Sequence, residues 1–66
     1  MQKPEDFHSE IAFLSTQELS ELLNVTTRWL RYNRTQENYI PYVKFGRLVR
    51  YQRKDITEWL RKNNKI

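Results

Sequence analysis

The chain has 66 residues, 38% of them hydrophobic, 14% aromatic and 30% charged, with no cysteine and a formal net charge of +4. A chain this short buries only about 60% of the surface its unfolded form exposes, which allows one small domain and excludes a two-domain enzyme built around a buried cleft. The apolar and aromatic content is too high for a fully disordered chain, and the lack of cysteine excludes disulfides, thiolate zinc sites and thiol nucleophiles.

Taken in chain order, residues 1–12 carry no sustained period and are expected to form a flexible arm, with Ile11 and Phe13 tucked onto the core. A folded domain is expected over residues 13–62, followed by a short tail, 63–66. Leu14-Ser15-Thr16-Gln17-Glu18-Leu19 has the pattern of a helix start: Ser15 can cap the amide of Glu18, Glu18 can reach back to Ser15, and Leu14 and Leu19 occupy the positions of a hydrophobic staple. Leu19, Leu22 and Leu23 follow at i, i+3, i+4 spacing, and Ser20 is small enough to let another helix approach. The helix is expected to stop at Asn24, a residue type that tolerates the left-handed conformation. Thr26 is the expected N-cap of a second, short helix from Thr27 to about Arg34, with Val25 and Leu30 as its staple. Two helices separated by so short a break make a helix-turn-helix.

Thr35-Gln36-Glu37-Asn38 is a polar connector. Tyr42–Phe45 and Leu48–Tyr51 each alternate with period two, and Gly46-Arg47 between them fits a type II′ turn with glycine first. This predicts a hairpin with Lys44, Arg47 and Arg50 near its tip, and with Lys44 and Arg50 on one side. Lys54 to Leu60 then reads as a closing helix whose Ile56, Trp59 and Leu60 pack inward, with Asp55 early and Arg61 and Lys62 late, each suiting the helix dipole. The expected core is Leu19, Leu22, Leu30, Val43, Val49, Ile56, Trp59 and Leu60.

Charge is segregated along this framework. Residues 1–24 hold one base, Lys3, against five acids, whereas residues 25–66 hold eleven bases, seven of them arginine, against three acids. A basic half opposite an acidic one points to a polyanionic partner; interspersed charges would have fitted a merely solvated surface better.

The order helix, turn, helix, hairpin, helix is that of a winged helix-turn-helix, mainly α with a β-hairpin. The pieces LSTQELSELLNV, IPYVKFGRLVRY and KDITEWL, in that order and spacing, resemble the excisionase-like branch of the MerR-related winged helix family over residues 13–60. Asn24 stands where that family most often has glycine, and the stretch from Val25 to Pro41 is slightly longer than is common in it. The resemblance implies a small DNA-binding protein of the kind found among phage and integrative-element excisionases and AlpA-type regulators. It places the second helix in the major groove and the wing against the minor groove or backbone. In the excisionase case it implies binding to repeated sites near an attachment site, DNA bending, and assistance to an integrase, a tyrosine or serine recombinase.

On the candidate recognition helix, Thr26, Thr27, Arg28 and Arg31 lie on the first turns, from which base contacts usually come. An arginine there can bond guanine O6 and N7 together. Tyr32 can reach a phosphate or pack on the hairpin. In the wing, Arg47 can enter a narrow minor groove, where the negative potential is enhanced, and Lys44 and Arg50 flank it. Arg34 stands between a DNA-facing position and the connector, Trp29 between core and contact, and Arg53 between phosphate contact and free surface. Double-stranded DNA is the expected partner, with self-association on it expected because one module of this size covers little of the duplex.

No enzyme is expected: there is no nucleophile–base pair, and Glu18 and Glu21 suit a cap and a solvated face better than acid–base work. His8 is the only histidine, so neither a metal site nor another cofactor is expected. No apolar run approaches the roughly 18 residues of a membrane span, and the opening MQKPEDFHSEI lacks the apolar region of a signal peptide. The expected location is the cytoplasm, at the nucleoid. Two other roles use the same sequence features: a small transcriptional regulator with the same DNA-binding surface, and a protein-interaction module.

Overall fold

The computed structural model describes residues 13–63, and the expected arm over 1–12 and the end of the expected tail lie outside them. The elements are β1 (Phe13–Ser15), α1 (Thr16–Leu23), α2 (Thr27–Asn33), β2 (Val43–Phe45), β3 (Leu48–Gln52) and α3 (Arg53–Lys62). Three helices surround one side of a small antiparallel sheet of strand order β1-β3-β2. This is the winged helix-turn-helix expected from the sequence.

The start of α1 is set by the capping box. The Glu18 amide donates to Ser15 Oγ at 3.0 Å, and the Ser15 amide donates to Glu18 Oε1 at 2.9 Å. Asn24 ends the helix in the left-handed conformation, φ 59 and ψ 45. The Asn24 and Val25 amides bond back to the carbonyls of Glu21 and Ser20, which is the Schellman closure. The chain then restarts within three residues. Thr26 is extended, its hydroxyl accepts from the Trp29 amide at 2.9 Å, and α2 follows. Leu14 and Val25, the leading residues of the two expected staples, pack against the core that contains Leu19 and Leu30.

The hairpin has the predicted register, Val43↔Arg50, Lys44↔Val49 and Phe45↔Leu48. Gly46 has φ +64, and Asn24 is the only non-glycine residue with positive φ among the described residues. Arg47 therefore has negative φ, and the turn is type II′ rather than I′. The register corrects one expectation. Directly opposite residues share a face, so Lys44 lies with Val49 and Arg50 lies with Val43; Lys44 and Arg50 point to opposite sides.

A third strand was not expected. Phe13, Leu14 and Ser15 pair with Gln52, Tyr51 and Arg50, so β3 is central. Three residues leading straight into a helix cap give no period to detect. The pairing satisfies an edge of β3 and adds the strand that a lone hairpin needs for stability. It also corrects the expected position of Phe13. Its partner Gln52 alternates with the inward-facing Tyr51, so Phe13 lies on the outer face, where its ring meets Phe45 edge-on at 5.4 Å.

The core is Leu19, Leu30, Ile40, Tyr51 and Ile56, with Leu23, Val49, Trp59 and Leu60 partly buried around it. Leu22 is not in it: 56% of its surface is exposed. The buried face of α1 is centred on Leu19, Ser20 and Leu23, and at about 100° per residue Leu22 falls well off that face. Val43 is half-buried on the outer face of the sheet, again displaced from the expected core, because Val49 and Tyr51 take the inner one.

Ile40, Tyr51 and the buried Asn33 were not foreseen. Asn33 closes α2 and its Oδ1 accepts from the buried Ile40 amide at 3.0 Å. That bond turns the connector back toward the core. Asn33→Ala leaves the Ile40 amide buried and unpaired, a cost of about 1–3 kcal/mol. The expected result is a lower urea midpoint at unchanged slope; an unchanged midpoint would mean that Asn33 does not hold the connector. On the other side, the Trp59 indole donates to the Asn38 carbonyl at 3.1 Å, fixing the connector to α3.

Candidate nucleic-acid interface

Helix α2 divides cleanly. Leu30 and Asn33 are buried, while Arg28, Arg31 and Tyr32 are exposed. Spacings of three and four put Arg28, Arg31 and Tyr32 on one side of the helix, opposite the core. Tyr32 is 61% exposed, which favours the outward one of its two sequence readings. Thr27 is half-buried beside them, and Thr26 is exposed but uses its hydroxyl oxygen as the N-cap acceptor.

The wing presents its charges less uniformly than expected. Arg47 is exposed in the type II′ turn, and Lys44 is exposed on β2. Arg50 is half-buried on the central strand, and its guanidinium donates to its neighbour's carbonyl, Val49 O, at 2.8 Å. The structure thus gathers Arg28, Arg31 and Tyr32 into one patch and puts Arg47 at the wing tip. It sets Lys44 and Arg50 on opposite faces of the sheet.

Arg34, left open by the sequence, is a bracing residue. Its guanidinium donates to Tyr51 Oη at 2.9 Å and to Thr16 Oγ1 at 3.3 Å, and lies 5.8 Å from the Tyr42 ring centroid. One side chain therefore ties the end of α2 to the start of α1 and to the central strand. Trp29, 41% exposed, is neither core nor part of the arginine patch; it lines an apolar groove with Leu22 and Trp59. Arg53 is exposed at the first turn of α3.

Among the described residues no group of three His, Cys, Asp or Glu side chains could hold a metal ion. No helix among them is long and apolar enough to cross a membrane.

Two helices joined by a three-residue turn, the outer face of the second lined with arginine, and a hairpin with an arginine at its tip define a winged helix-turn-helix protein of the DNA-binding class. The chain belongs to the helix-turn-helix domain family, whose model matches residues 13–64. Searches among curated proteins and among solved structures return no match.

Proposed function

We propose that the chain is a small DNA-binding protein of the excisionase type, which binds repeated sites near an attachment site and assists an integrase in excision. The observation that carries the DNA-contact surface is the exposed Arg28, Arg31 and Tyr32 face on α2, directly opposite buried Leu30 and Asn33. The excisionase role is supported by the likeness of the sequence to that branch of the winged helices.

In this reading α2 lies in the major groove. Arg28 and Arg31 read base edges, Thr27 stands beside them, and Tyr32 and the Thr26 hydroxyl hydrogen reach phosphate. The wing crosses the neighbouring backbone with Arg47 at the minor groove and Lys44 on phosphate. Arg50, tied to the Val49 carbonyl, contributes charge more than direct contact. Copies on adjacent sites associate on the DNA.

The test is fluorescence anisotropy with labelled duplexes across a salt series. Neutralising about five phosphates gives a log–log slope near −4.5. A steep slope with preference for DNA flanking its own gene is expected; a flat slope would overturn DNA binding in favour of a protein-interaction module. Excision is then measured on a plasmid carrying both attachment sites, with integrase present and the protein added or withheld. Binding without any change in excision would leave a transcriptional regulator and overturn the recombination role.

A further inference from the structure

The outer face of the sheet is apolar where a solvated face would be polar. Val49 and Tyr51 take the inner face, so the pleat puts Val43, Phe45, Leu48 and Arg50 outward, with Phe13 on the neighbouring strand. An antiparallel sheet with one wet face usually alternates apolar in and polar out. Here Phe45 and Leu48 each leave 53% of their surface exposed. They stand directly opposite each other and flank the Gly46-Arg47 turn, so they form one apolar ridge at the end of the wing. The Phe13 ring meets Phe45 edge-on from β1 at 5.4 Å and braces it. The turn has open space beside it: a Cβ added at Gly46 would meet nothing within 4 Å apart from its chain neighbours.

The charge around the ridge indicates its partner. From Tyr42 to Arg53 the chain holds four bases, Lys44, Arg47, Arg50 and Arg53, and no acid. Arg47, between Phe45 and Leu48 in the chain, is exposed, and Arg50 shares their face two residues along β3. An apolar ridge set among cations complements apolar surface set among anions. A base-pair step approached from the minor groove has that arrangement, with stacked bases between two rows of phosphate. Phenylalanine and leucine are among the side chains that proteins insert at such steps, unstacking them in part and kinking the duplex by about 20–90°.

We propose that Phe45 and Leu48 are a wedge: with Arg47 in the minor groove, they enter one base-pair step and kink the duplex. This rests on the reading above, in which the wing meets the minor groove. It gives the protein a bending device of its own. It also gives a preference for steps that unstack at low cost, the pyrimidine–purine steps TA and CA, without a hydrogen bond to any base.

The test separates bending from binding. Short duplexes from the DNA flanking the protein's own gene carry a dye at each end. Resonance energy transfer reads the bend, and anisotropy reads affinity across a salt series. The wild-type complex is expected to be bent by at least about 20°. Phe45→Thr with Leu48→Thr keeps residues suited to strands. It is expected to lose most of the bend and to keep the salt slope, because no cation is removed. Leu48→Thr alone leaves the contact of Phe13 with Phe45 in place and is expected to lose part of the bend; it serves if circular dichroism shows the double variant unfolded. Leu22→Ala, at an exposed apolar position on α1, is expected to bend DNA as wild type does. A straight wild-type complex with a steep salt slope would overturn the wedge and leave DNA binding standing. So would either wing variant, folded, that bends DNA as wild type does. A flat salt slope for the wild type would overturn the DNA reading itself, and the wedge with it, and would leave the ridge to an acidic protein partner.

Discussion

Replacing Arg28 and Arg31 together by alanine is expected to remove most of the protein's preference for its own site while leaving the fold unchanged. Both side chains are exposed, so truncating them empties no part of the core, and surface changes of this kind usually stay within about 0.5 kcal/mol of wild-type stability. Their loss falls on recognition. An arginine bonded to guanine through both acceptors discriminates by about 1–3 kcal/mol, so two of them supply about 2–6 kcal/mol, or some 30-fold to 10⁴-fold. The measurement is the ratio of dissociation constants for specific and random duplex at one fixed salt concentration. Arg47→Ala gives the contrasting result. A side chain at the wing tip that meets backbone and groove potential lowers affinity for every sequence and reduces the salt slope by about 1. If the double variant keeps its preference and Arg47→Ala loses it, the wing is the reader and α2 the clamp.

The helix-turn-helix was legible because its signals are local. Ser15 with Glu18, Asn24, and Thr26 ahead of Leu30 each act within four residues, and each is used as its type predicts. The hairpin was legible for the same reason, since Gly46 and a two-residue loop fix the register. What escaped depends on contacts distant in sequence. β1 exists only because β3 offers an edge to Phe13–Ser15, and three residues cannot announce that pairing. Ile40 and Asn33 are buried through one bond across the connector, where no period runs. Leu22 obeyed the spacing rule for a helix face, yet the face is centred nearer Ser20, a polar residue that pattern reading discounts. Arg34 was ambiguous because its three partners, Thr16, Tyr42 and Tyr51, come from three separate parts of the chain. For the interface, sequence alone identified Arg28 and Arg31 as outward on α2 but left Tyr32 and Trp29 open, while the split of Lys44 from Arg50 followed from a pleat rule that the hairpin register already contained.

Leu30→Ala is expected to unfold most of the protein at room temperature. Leu30 has no exposed surface and sits at the centre of the core with Leu19, Ile40, Tyr51 and Ile56. Truncating a buried leucine to alanine costs about 2–5 kcal/mol, and a single core of this size rarely supplies more than about 3–5 kcal/mol in total. Leu22→Ala, on a side chain more than half exposed, is expected to cost far less, about 0.5 kcal/mol or under. Urea denaturation followed by circular dichroism distinguishes the two, and equal costs would mean that α1 is rotated from the orientation described. The comparison also separates two ways of losing DNA binding. Leu30 lies between Arg28 and Arg31 on a seven-residue helix, so both substitutions weaken binding, but by different routes. In Leu30→Ala the binding-competent state is intact and merely rare, so saturating DNA restores the circular dichroism signal by mass action. In the arginine variant the fold is already present, and added DNA changes neither the signal nor the missing preference.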